Sequence, residues 1–198
     1  MYIEQAYKGL KDSWRYIIGT CVIIFGWQII GAIPLMMAMI IEKINGNSIP
    51  LSIPDMINSF GSNLFLVLML LTFAIGLAFV LLTGKLLHKQ SIRALTTSRR
   101  KIDWKRIFFA FGVWALVSIL LTVIDVYFSP EDYVLNFKLD KFLILLVIGI
   151  VLIPLQTSFE EYFFRGYLMQ GIGVAVKNKW VPLVITSTIF GLMHIFNP

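Results

Sequence analysis

Two adjacent glutamates and an arginine interrupt an otherwise apolar chain in SFEEYFFRGYLMQGIG, residues 158–173. Ionisable side chains at membrane depth cost about 2.5–3.5 kcal/mol each on insertion scales, so they are functional candidates by default. Glu161 and Arg165 stand four apart and share a helix face, where they can form an ion pair. Glu160 lies about 100° round the helix from Glu161, so the two carboxylates cannot both turn to that arginine. Glu160 shares its face instead with Gln156, Phe164 and, less closely, Tyr167. A structural ion pair therefore explains two of the three charges and leaves Glu160 for chemistry.

A second polar group sits in STIFGLMHIFNP, where His194 follows Phe190 by one turn and precedes Asn197 by three residues. Alone, a histidine in an apolar helix is more often a packing residue. Here the spacing argues otherwise. Glu160 is seventeen residues before Lys177 and His194 seventeen after it, and KNK, Lys177 to Lys179, is a natural polar turn. In an antiparallel hairpin both would lie about 25 Å from that turn, at 1.5 Å per residue, and could meet inside the membrane domain. Such a pair can activate water, with the glutamate taking a proton and the histidine orienting the water or sharing the proton. One Glu and one His supply only part of a zinc site, no HExxH is present, and zinc remains a minor alternative to a cofactor-free site. His88, beside Lys89 in a basic loop, reads as solvated. Cys21 is the single cysteine and lies in an apolar run, so no intramolecular disulfide is possible.

The elements that must position these residues are membrane helices. The chain is 58% hydrophobic and 14% charged, with a mean hydropathy of +0.83, whereas soluble domains carry about 25% charged residues. Apolar runs at 16–41, 64–84, 107–124, 142–158 and 181–198 approach or exceed the length of about 20 residues that crosses a bilayer. Backbone satisfaction in lipid makes them helices, and they lack the alternation of barrel strands. The fold class is an all-α polytopic transmembrane bundle of about five spans, a single membrane domain over 1–198. Lys85 to Arg106 holds eight basic residues. With the N-terminus cytoplasmic, thirteen lysines and arginines fall inside and three outside, a strong positive-inside bias. The net charge of +6 thus reflects topology, and no nucleic-acid partner is expected. The segment NGNSIPLSIPDMINSFGSN reads as a loop with a short interfacial helix, and Trp104, Trp114 and Trp180 as belt or packing residues.

EEYFFR, Glu160 to Arg165, resembles the EExxxR motif of the CPBP family, the CAAX prenyl proteases and bacteriocin-processing enzymes also called Abi. FGLMH, Phe190 to His194, resembles that family's FxxxH motif, and Asn197 the asparagine that often follows. ALTTSRRKIDWKR is similar to the segment preceding the family's core. The overlap covers about residues 142–198. The resemblance implies an intramembrane glutamic endopeptidase without a metal, in a multi-pass protein of a bacterial cell membrane, acting on a peptide or protein at the lipid bilayer. By carry-over Glu160 is the general base, Glu161 and Arg165 hold helix and charge geometry, His194 helps activate water and Phe190 packs the site.

The chain departs from the family at its end. Relatives usually continue to a second histidine followed four residues later by asparagine or aspartate, which would help stabilise an oxyanion. Here the sequence stops at Pro198, which reads as a fragment of a longer protein or a short form with an incomplete site. Loss of such donors can cost about 10²- to 10³-fold in rate. The alternative function is a catalytically inactive membrane partner or bacteriocin-immunity protein of the same fold. A small transporter using Glu160 and His194 as a proton relay is a third reading.

Overall fold

A computed structural model of the chain describes residues 2–195 and is all-helical over them. By internal contacts the chain divides into two units, residues 1–98 with 144–198, and residues 99–143. Four helical stretches are long and apolar enough to cross a membrane, at Ser13–Ile44, Ser62–Leu86, Trp104–Phe128 and Leu139–Val176. The first four expected runs lie within them, and the fourth helix continues eighteen residues past its run, through the EEYFFR motif to Val176. The fifth run is the shorter apolar helix Trp180–His194, 15 residues long.

In the larger unit a 3-10 segment, Ile3–Lys8, leads into α1, Ser13–Phe25, a π-helical stretch at Gly26–Ile30, and α2, Ile33–Ile44. The expected interfacial helix is α3, Ile53–Phe60, capped by Ser52, whose hydroxyl accepts from the Asp55 amide at 3.2 Å. Then come α4, Ser62–Leu86, and the short α5, Ile92–Thr96. The smaller unit holds α6, Trp104–Phe128, begun by Asp103, which accepts from the Arg106 amide at 3.3 Å and pairs with Arg99 at 2.7 Å. Finally α7, Leu139–Glu160, passes through a π-helical segment at Glu161–Leu168 into α8, Met169–Val176, and α9 follows at Trp180–His194. Lys177, with φ +51°, makes the turn between α8 and α9.

Lipid tails are as apolar as leucine, so close packing and internal hydrogen bonds rather than water exclusion hold such helices together. The core cluster of the larger unit is built accordingly. Phe159, Phe163, Phe164 and Tyr167 of the motif helix pack with Tyr16 and Ile23 of α1 and Val80 of α4. The Phe159 ring lies 4.9 Å from Trp27 and 5.9 Å from Phe73, centroid to centroid. Close approach depends on missing side chains. A Cβ at Gly19 would stand 1.8 Å from the Tyr167 hydroxyl, so only glycine admits that ring. Below this aromatic layer the polar side chains satisfy one another. Gln90 donates to Gln170 at 2.8 Å and to the Gln5 carbonyl at 3.1 Å, and Gln170 donates to the Ala94 carbonyl at 3.3 Å.

Candidate active site

The motif does not sit on a regular α-helix. Glu161–Leu168 is wound as a π-helix, a rare form that recurs at functional sites. The expected division of the two carboxylates nonetheless appears. Arg165 Nη1 donates to both oxygens of Glu161, at 2.8 and 3.1 Å, on a face where both side chains are about half exposed. The Arg165 guanidinium also stands 5.6 Å from the Phe190 ring centroid. Glu160 is half-buried on the other side, where Gln156 Nε2 donates to its Oε1 at 3.4 Å.

The hairpin formed by α8 and α9 brings His194 to the same place. Glu160, Gln156, Phe164 and His194 line one cavity of about 450 Å³, closed on another side by Trp27, Phe65, Met69 and Phe73. Both π-helical stretches contribute to it, through Trp27 and Phe164. His194 Nδ1 lies 2.8 Å from the Phe190 carbonyl. A carbonyl only accepts, so Nδ1 carries the hydrogen and Nε2 of the neutral ring keeps a lone pair. The Phe190 ring lies 4.4 Å from the His194 ring, tilted by 37°, and meets Phe164 edge-on at 5.4 Å. Asn197 lies outside the described residues. Among the described residues no three His, Cys, Asp or Glu side chains gather as a metal site would require.

The helix Leu139–Val176 has 38 residues, about 55 Å at 1.5 Å per residue, longer than a hydrocarbon core of about 30 Å. Tyr2, Gln5, His88 and Gln90 gather round its C-terminal part.

One expectation needs correction: His88 is buried at 1% exposure, not solvated. Its Nδ1 lies 2.7 Å from the Leu10 carbonyl and its Nε2 2.8 Å from the Tyr167 hydroxyl. Burial pushes its pKa below the usual histidine range. The Leu10 carbonyl opposes that shift, the Arg15 charge adds to it, and Asp12 opposes it. Nothing in the local sequence KLLHKQ announces these partners, which come from 78 and 79 residues away.

One family model overlaps the segment that carries both motifs. Described as Type II CAAX prenyl endopeptidase Rce1-like, it matches residues 139–198. A Bacillus subtilis (strain 168) protein named "Uncharacterized protein YyaK" is 31% identical over 193 residues, 96% of this chain and 64% of that protein. The chain thus spans less than two thirds of the length of the curated relative it matches. No solved structure matches it. The family match starts with α7 and contains Glu160, Glu161, Arg165, Phe190, His194 and Asn197. Over residues 139–198, this chain is similar to the type II CAAX prenyl endopeptidase Rce1-like family.

Proposed function

We propose that the chain acts as an intramembrane endopeptidase in which Glu160 is the general base, His194 orients the attacking water and no metal takes part. The observation that carries this reading is the shared cavity: Glu160 and His194 line it together, while Glu161 is held away by Arg165. A water in that space can give one hydrogen to a Glu160 oxygen and the other to His194 Nε2. As Glu160 takes the proton, the water oxygen bonds to the substrate's carbonyl carbon and the C=O electron pair moves onto oxygen. Collapse of that tetrahedral species breaks the C–N bond, and Glu160 returns its proton to the departing nitrogen. General-base assistance of this kind is worth about 10²- to 10⁴-fold.

The other residues have supporting roles. The Gln156 donor steadies the Glu160 carboxylate. Glu161 and Arg165 fix the exposed face of the π segment, and Phe190 keeps the His194 backbone partner and ring in register. The cavity wall of Trp27, Phe65, Met69 and Phe73 suits an apolar peptide segment entering from the bilayer.

Mapping new protein ends in membranes that carry the wild-type chain or Glu160→Gln tests this. Cleavage products present with wild type and absent with the variant are expected. Identical sets of ends in both would overturn the reading and fit an inactive partner or immunity protein instead.

A further inference from the structure

His88 has no part in that chemistry, yet it joins three segments. Leu10 and His88 bond twice. The Leu10 amide donates to the His88 carbonyl at 2.7 Å, and His88 Nδ1–H donates back to the Leu10 carbonyl at 2.7 Å. Gly9 makes this approach possible, because a Cβ there would stand 2.6 Å from the His88 carbonyl oxygen. On its other side His88 Nε2 meets the Tyr167 hydroxyl of the π segment, and that hydroxyl has a second acceptor, the Arg15 carbonyl, at 3.2 Å. With Nδ1 bound to a carbonyl, the neutral ring can only accept at Nε2, so the Tyr167 hydroxyl donates to it. In the imidazolium form Nε2–H must donate to Tyr167, whose own hydrogen then turns to Arg15.

We infer that His88 is a positioning residue: its neutral ring latches the N-terminal segment and the π segment together through Leu10 and Tyr167, and its protonation loosens that latch. The groups facing it set the sign. From α1 come the Tyr16 ring, 4.2 Å away, and the ion pair of Arg15 with Asp12 at 2.9 Å. From the π segment comes Tyr167, and on its own loop Lys89 points out to solvent. A cation placed here is buried beside Arg15, only partly offset by Asp12. A base held neutral contributes stability that is complete above the free histidine pKa of about 6.5 and is lost as the pH falls below it. Because Tyr167 lies seven residues from Glu160 on one helix, loosening reaches the proposed active site; that last step rests on the protease reading.

The chain has only two histidines, so a histidine-labelled sample in lipid nanodiscs gives two ring spectra, with His88 assigned from His88→Gln. The His88 ring should be the Nδ1–H tautomer and stay mostly neutral at pH 6.5. Hydrogen exchange of residues 3–10, corrected for intrinsic rates, should rise by up to about tenfold per pH unit below 6.5. In His88→Gln that extra pH dependence should vanish, and in Tyr167→Phe the latch should be weaker at every pH. A His88 ring titrating at 6.5 or above, or the same exchange profile in wild type and His88→Gln, would overturn the inference. If His88→Gln does not fold, His194→Gln supplies the assignment, and the wild-type ring titration and exchange profile decide alone. In a cleavage assay the acid limb of the rate profile should shift in His88→Gln. A wild type that cleaves nothing would sink the protease reading, while the ring and exchange measurements still decide the latch.

Discussion

Glu160 and Glu161 are neighbours with the same chemistry and different surroundings. One lines a cavity with His194, and the other is chelated by Arg165 on an exposed face. Their substitutions should therefore separate. Glu160→Gln keeps the shape and the Gln156 contact but removes the base, and cleavage should fall about 10²- to 10⁴-fold with membrane insertion unchanged. Glu161→Gln breaks a half-exposed i, i+4 pair, which is worth about 0.5 kcal/mol, so folded yield and rate should change little. Equal losses in both variants, measured as rate per folded molecule, would contradict the division. This division was legible in the sequence, because a four-residue spacing identifies the pair and a 100° offset excludes Glu160 from it. His88 was not legible. Its burial is created by Leu10 and Tyr167, and local sequence carries no trace of contacts that distant.

At the scale of elements, the helices were readable because lipid leaves apolar runs no other structure. Their winding was not. Periodicity over eight residues cannot separate a π-helix from an α-helix, so the form of Glu161–Leu168 emerged only with the packing of Phe163, Phe164 and Tyr167. The hairpin register could be read from the seventeen-residue spacing about Lys177, which brings Glu160 and His194 to one cavity. Gly19 is the element-scale test. Gly19→Ala puts a methyl 1.8 Å from the Tyr167 hydroxyl, and overpacking of this kind costs about 1–3 kcal/mol. The control, Gly112→Ala, meets nothing within 4 Å and should be neutral or slightly stabilising. Thermal unfolding in nanodiscs should show a lower midpoint for the first variant only. Equal midpoints would contradict the contact.

For the whole molecule, the basic loop of residues 85–106 and the acidic segment around Glu131 should face opposite sides of the membrane. With Cys21→Ser as background, Glu131→Cys should react with an impermeant maleimide on intact cells, and Lys101→Cys only after permeabilisation. The reverse pattern would invert the topology. A site built on one glutamate and one histidine should also work without a metal, so dialysis against a chelator should leave any cleavage rate within about twofold, a change below 0.5 kcal/mol in barrier height. Complete loss restored by zinc would overturn that. The central claim is that Glu160 activates water, and its most direct test is the cleavage rate of one identified substrate by wild type, Glu160→Gln and Glu161→Gln in the same bilayer. The account predicts that only Glu160→Gln loses about two or more orders of magnitude. A Glu160→Gln chain that cleaves at the wild-type rate would contradict it.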